Sequence, residues 1–310
     1  MPRLLLSAAL LMSAGVATGQ GTKPKKPAPR PTPTVANLAY GKHERQVLDF
    51  WQARSDRPTP LVLYIHGGGW VNGDKSGLSG PAIRQFLDAG ISVAAINYRF
   101  IKQAVEEKVE PPVKAPLHDA ARALQTIRSK AKEWNLDKAR IGATGGSAGG
   151  CSSLWLAFHD DLADPKSEDP IARESTRLFC AAVNGAQTSL DPNELREWMP
   201  NYRYGGHAFG FASFQAYHDG RQKVLKWIRE YSPIEHVSKD DPPIFLDYPA
   251  QNVPPVVGEN QKDPTHSAIL GLKLAEKLKA AGVEVILVYP GQPDTKYRNT
   301  AAFLIDRLKK

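Results

Sequence analysis

The stretch Arg140-Ile141-Gly142-Ala143-Thr144-Gly145-Gly146-Ser147-Ala148-Gly149 opens as a strand and closes as a glycine cluster, and the helical run Cys151 to Phe158 follows it. Gly145 to Gly149 is a G-x-S-x-G pentapeptide. Alone it is a weak signal, because glycine turns are common. Placed between a strand and a helix it is a strong one. A sharp strand-to-helix turn lifts a serine hydroxyl above the sheet, and the flanking glycines let the chain turn without a side-chain clash. The helix N-terminus and the Ala148 N–H then face any negative charge that develops beside Ser147.

Working outward, Leu61 to Ile65 is a continuous apolar run, as a buried parallel strand is, and His66-Gly67-Gly68-Gly69-Trp70 follows it. Bare glycine amides at Gly68 and Gly69 are suited to holding an oxyanion. His66 reads as an anchor for that loop. A phosphate-binding loop is the rival, but the Gly-Lys-Ser/Thr ending and the G-x-G-x-x-G spacing are both missing. Further strands are expected at Ile91–Ile96, Phe179–Val183, Ile244–Leu246 and Val283–Val288. Helical stripes run through Ala120, Ala123, Leu124 and Ile127, and through Leu270, Leu274 and Leu278. Strands alternating with helices predict an α/β domain with a largely parallel sheet.

These motifs together resemble the α/β-hydrolases of the carboxylesterase and hormone-sensitive-lipase-like group, in particular bacterial exported feruloyl and acetyl esterases. The likeness runs from about Ala39 to the C-terminus. It includes His66 to Trp70 with Gly73-Asp74-Lys75, Asn97-Tyr98-Arg99, Asp119, Gly145 to Gly150 and Ser232-Pro233-Ile234. The resemblance implies an eight-stranded, mostly parallel sheet flanked by helices. It also implies a serine nucleophile, no cofactor, and a short acyl or aromatic ester as substrate, carbohydrate-linked among others.

In this fold the triad runs serine, acid, histidine along the chain. Counting back from Leu274 places the acid at Asp263, whereas counting forward from the strand at Ile244 places it at Asn252. Gln251 to Gln261 reads as an insertion that separates the two counts. Asp263 is preferred, because an amide cannot balance an imidazolium. The histidine is the difficulty. The family's Gly-x-x-His turn here reads Gly291-Gln292-Pro293-Asp294, and His266 is the one histidine of eight downstream of the acid.

Three arrangements stay open on sequence grounds. His266 acts as base from the acid loop, since triads are defined by geometry and not by chain order. Alternatively, His207 or His218 reaches in from the aromatic-rich segment 201–220, a candidate lid carrying Trp198, Tyr202, Tyr204, Phe209, Phe211 and Phe214 at or near it. Or there is no base, and the chain is a non-catalytic binding protein on a hydrolase scaffold. The first yields the expected site: Ser147, His266 and Asp263, with the Gly68, Gly69 and Ala148 amides as oxyanion hole.

The ends and the charge narrow the rest. Residues 1–19 read as a secretion signal: Arg3, the apolar Leu4 to Met12, then Ala17-Thr18-Gly19. Residues 20–38 read as a Pro/Lys-rich linker and 39–310 as the hydrolase domain, so the expected location is secreted or periplasmic. Net charge is +8, but the first 34 residues hold five of those charges and no acid, leaving +3 for the domain. That is no nucleic-acid-binding balance. No apolar run approaches the ~20 residues of a membrane span, and no membrane anchor is expected. Cys151 and Cys180 read as two buried free thiols, too few for a disulfide scaffold. No metal-ligand spacing stands out. Asp160, Asp161 and Asp164 lack the glycine and glutamate of a calcium loop, and His43, His118, His159 and His236 read as surface or capping residues. Oligomeric state is not legible.

Overall fold

The protein is described by a computed structural model covering residues 29–291 and 296–310. The expected signal segment, residues 20–28 of the linker, and Asp294 lie outside the described residues. In chain order the elements are β1 (Val35–Ala39), β2 (Val47–Trp51), β3 (Thr59–Ile65), α1 (Gly80–Asp88), β4 (Ser92–Ile96), α2 (Ile101–Glu106) and α3 (Lys114–Ser129). Then come β5 (Leu136–Gly146), α4 (Ala148–Phe158), β6 (Cys180–Asn184), α5 (Pro192–Trp198), α6 (Phe214–Asp219) and α7 (Arg221–Tyr231). The chain closes with β7 (Ile244–Asp247), α8 (Ala268–Ala280), β8 (Val285–Val288) and α9 (Thr300–Leu308).

The strands form one eight-stranded sheet in the order β1-β2-β4-β3-β5-β6-β7-β8. The pairs β1–β2 and β2–β4 are antiparallel, and every pair from β4–β3 onward is parallel. This is the α/β-hydrolase architecture. Successive strand residues point to opposite faces, and both faces are covered. Leu61, Leu63, Ala94, Ile96, Ala181 and Val183 pack into one core, with α3, α4 and α8. Val62, Val93, Ala95, Cys180 and Ala182 pack into the other, with α1 and α9. A strand buried on both sides has no polar alternation, which is why these strands read as unbroken apolar runs.

The linker boundary needs correction, because Val35–Ala39 is an edge strand and the chain is docked from residue 29. The Trp51 indole N–H donates to the Pro31 carbonyl (2.9 Å), and the Arg30 guanidinium donates to the Lys75 carbonyl (3.0 Å). Stretches of proline and lysine carry no apolar period, yet their carbonyls still accept hydrogen bonds. β2 was also not anticipated. Its Asp49 is buried and paired with Lys75 Nζ at 2.9 Å, and this breaks the apolar run. Cys151 and Cys180 are buried and free, and burial pushes the Cys180 thiol up to about 12. Among the described residues no helix is long and apolar enough to cross a membrane.

Candidate active site

Ser147 joins β5 to α4 with φ 53° and ψ −125°. That left-handed strain is held by its surroundings: the Ser147 N–H donates to the Asn184 carbonyl (2.9 Å), and all of α4 is buried. The glycines are a requirement of packing. A Cβ on Gly149 would lie 2.1 Å from the Ile65 carbonyl oxygen. Replacing it would push β3 and α4 apart.

The glycine loop after β3 sits beside this turn. Gly68 and Gly69 have φ of 103° and 63°, and neither amide has an acceptor among the described residues. The motifs seen in sequence are the loop's scaffold. The His66 ring stacks on Tyr98 at 4.2 Å and its Nδ1–H donates to the Gly67 carbonyl (2.7 Å). Burial pushes the His66 imidazole down to about 4, so it is a neutral anchor. The Tyr98 hydroxyl donates to the His66 carbonyl (2.7 Å). The Asn97 side chain donates to Asp74 (2.7 Å) and accepts from the Lys75 N–H (2.6 Å). The Arg99 guanidinium and Gln46 converge on buried Asp119, at 2.6 and 2.7 Å. Trp70 is core: it is fully buried and donates its indole N–H to Ser152 Oγ (3.0 Å), tying the loop to α4.

His266 Nε2 lies 3.0 Å from Ser147 Oγ, and His266 Nδ1 lies 2.8 Å from Asp263 Oδ2. Acid and base thus ride one short 3-10 turn, Pro264–His266, with Asp263 immediately before it. The order serine, acid, histidine is kept, although the histidine comes three residues after the acid. Asp263, and not the exposed Asn252, meets the imidazole. The lid histidines are occupied elsewhere. His207 Nε2–H donates to the Gly69 carbonyl (2.9 Å), and His218 lies beside Asp219 on α6 (3.5 Å). The arrangement without a base loses its premise, since an imidazole stands at the serine hydroxyl.

Sequence reasoning missed the residues that place this turn. Gly185, at φ 52°, passes under His266, and a Cβ there would lie 3.4 Å from the His266 Cβ. The Gln187 amide donates to the Thr265 carbonyl (2.7 Å). Gln251 Oε1 accepts from Ser267 Oγ (3.1 Å) and from the Ala268 N–H (3.0 Å). Asn201 brackets Gln261 through its N–H (3.0 Å) and carbonyl (2.8 Å). The inserted segment is therefore pinned at both ends. A cavity of about 380 Å³ opens over the site, lined by Gly68, Gly69, Ser147, Tyr204, Asp263 and His266. Of the lid aromatics, Trp198, Tyr202, Phe209 and Phe214 are buried in the core, and Tyr204 reaches the cavity. The Tyr204 hydroxyl approaches Gly69 so closely that a Cβ there would lie 2.2 Å from it.

Comparisons with known proteins bear on the family and the fold. The chain is 28% identical over 228 residues to the probable carboxylic ester hydrolase LipM of Mycobacterium tuberculosis, covering 68% of this chain and 46% of that one. It is 24% identical over 260 residues to the esterase LipQ of the same organism, covering 81% and 54%. The chain thus spans about half the length of these curated relatives. Among solved structures, a truncated carbohydrate esterase from gut microbiota superposes with a TM-score of 0.67 at 20% identity, covering 92% of this chain and 100% of that one. The acetyl ester-xyloside bifunctional hydrolase of Caldicellulosiruptor lactoaceticus gives 0.59 at 24% identity, covering 80% and 78%. Both likenesses bear on the fold. The family model named BD-FAE matches residues 48–252, which include the glycine loop and Ser147 and stop short of Asp263 and His266. With more than half of its length inside that match, the chain belongs to the BD-FAE family.

Proposed function

We propose that the protein is an exported serine esterase that hydrolyses short acyl or aromatic esters, carbohydrate-linked ones among them, through an acyl-enzyme. The observation that carries this reading is the imidazole of His266 between the Ser147 hydroxyl (3.0 Å) and the Asp263 carboxylate (2.8 Å). The Ser147 hydroxyl gives its proton to His266 Nε2 as Oγ attacks the ester carbonyl. Asp263 accepts from Nδ1–H, fixes the tautomer and balances the imidazolium. Negative charge on the carbonyl oxygen is met by the amides of Gly68, Gly69 and Ala148. Collapse breaks the C–O bond, and His266 returns the proton to the departing alcohol. Water then gives a proton to the same nitrogen as it attacks the acyl-serine; collapse breaks the bond between the acyl carbon and Oγ, His266 returns the proton to Oγ, and the acid leaves.

Support for the ester class comes from the relatives named above, and support for carbohydrate-linked substrates from the two structural neighbours. Export rests on residues 1–19 alone. The test is hydrolysis of p-nitrophenyl acetate by the mature chain, with mass spectrometry of the quenched reaction. Turnover with an acetyl group on the Ser147 peptide is expected. A wild-type rate equal to that of Ser147→Ala, repeated across acetyl, butyryl and feruloyl esters, would refute the reading.

A further inference from the structure

Away from the active site, His159, Glu230 and His236 come together from three elements: the end of α4, the last turn of α7, and the 3-10 turn Pro233–His236. Each offers one ligand atom, and no two of those atoms are more than 4.8 Å apart. The spacing 159, 230, 236 matches no metal motif, because the fold and not the local sequence makes the cluster.

The hydrogen bonds around the two rings are compatible with a metal site. His159 Nδ1–H donates to the Asp160 carbonyl (2.8 Å), and His236 Nε2–H donates to the Glu230 carbonyl (2.7 Å). A carbonyl only accepts, so each bond fixes one ring nitrogen as the protonated one. The opposite nitrogen is left as a lone pair, the arrangement by which metal-binding histidines are oriented. For His159 that nitrogen is Nε2, and it faces Glu230 Oε1 at 3.1 Å. A lone pair facing a carboxylate needs a cation between them, either a second proton or a metal ion. Two ligands about 2.0–2.1 Å from a tetrahedral zinc lie about 3.3 Å apart, close to the separation seen. The Glu230 side chain is 44% exposed, so its carboxylate has room to adjust around an ion. The His159 and His236 rings are already 4.7 Å apart, centre to centre.

We infer that His159, Glu230 and His236 form a binding site for a zinc-class divalent transition ion, with solvent completing the coordination. Two imidazoles and a carboxylate suit zinc, cobalt or nickel, and disfavour magnesium and calcium, which take oxygen ligands. The ion would tie the far end of the nucleophile-bearing helix α4 to α7 and the turn that follows it. That role is structural and independent of the proposed ester chemistry.

The test uses the untagged mature chain after chelator treatment. It is titrated with zinc chloride by calorimetry and with cobalt chloride by absorption, and its thermal midpoint is recorded with and without zinc. One equivalent of zinc, a tetrahedral cobalt spectrum, and a higher midpoint with zinc but not with magnesium are expected. His236→Ala and Glu230→Gln should each weaken zinc binding by about tenfold or more. Glu230→Gln keeps the size of the side chain, and an unchanged metal-free midpoint shows that it still folds. No zinc binding, or zinc bound equally by the wild type and both variants, would overturn the inference and leave an ordinary ion pair.

Discussion

The two halves of the active site are built differently. Ser147 and the glycine loop are set into the sheet, since every residue of α4 is buried and the loop is cross-braced by Tyr98, Asn97 and Trp70. Asp263 and His266 sit on a short turn without a buried residue, and their side chains remain 47% and 35% exposed. One half is rigid because moving it would break the core. The other is held by a few side-chain amides, those of Gln187, Gln251, Gln261 and Asn201. Strain is affordable in the first half, and adjustment is available in the second.

The largest effects should come from breaking the link between the halves. Ser147→Ala and His266→Ala are each expected to lower kcat by about 10⁴–10⁶-fold, and the double variant should be no worse than either. Steady-state kinetics of the three variants check this. Additive losses would mean that the two groups do not act as a unit. Asp263→Asn should cost about 10²–10⁴-fold, because the amide presents the wrong partner to Nδ1–H while the turn keeps its shape. A loss confined to KM would instead make Asp263 a substrate-binding group.

Acid tests the rigid half and the core beside it, where His118 of α3, read from sequence as a surface or capping residue, packs its ring on Trp155 of α4. Burial pushes both His66 and His118 down to about 4 in the folded chain, whereas an unfolded imidazole titrates near pH 6.5. Between those values the unfolded chain binds the proton that the folded one refuses. Stability is therefore full above pH ~6.5 and drains as pH falls toward 4, with roughly 2 kcal/mol lost per histidine at pH 5. Urea denaturation at pH 7 and pH 5 measures it, and His118→Gln should recover part of the difference. The smallest effect tests the adjustable half. Gln251→Ala removes two hydrogen bonds from the start of α8, worth about 1 kcal/mol each. Activity is expected to fall by about tenfold while the unfolding midpoint drops by a few degrees. A stability loss with unchanged kcat would show that the turn keeps its place without that amide.

The contrast between the halves also explains what could be read in the sequence. β3, β4, β6 and β7 were legible because burial leaves an unbroken apolar run, β5 because it leads into the glycine cluster, and β8 because Val285 to Val288 is apolar although only half-buried. β1 and β2 were not, one being an exposed edge and the other interrupted by a paired aspartate. Ser147, Gly68 and Gly69 were legible because a turn that needs positive φ and bare amides calls for glycine at fixed local positions. His266 was named only as one of three arrangements. Its contact with Ser147 spans 119 residues, and no local rule says which loop closes over the elbow. Gln187 left no trace at all, because it recognises a backbone carbonyl, which every residue has.

With acid and base on one turn, the dyad moves as a single body. In an arrangement that takes the two groups from separate loops, each loop contributes its own displacement, and the imidazole can lose its carboxylate and its serine independently. Here one short turn carries both groups, so a displacement of the turn alters the distance to Ser147 before it alters the contact between them. Warming should then switch activity off along that one coordinate, reversibly and below the temperature at which the sheet melts, with the dyad itself still intact.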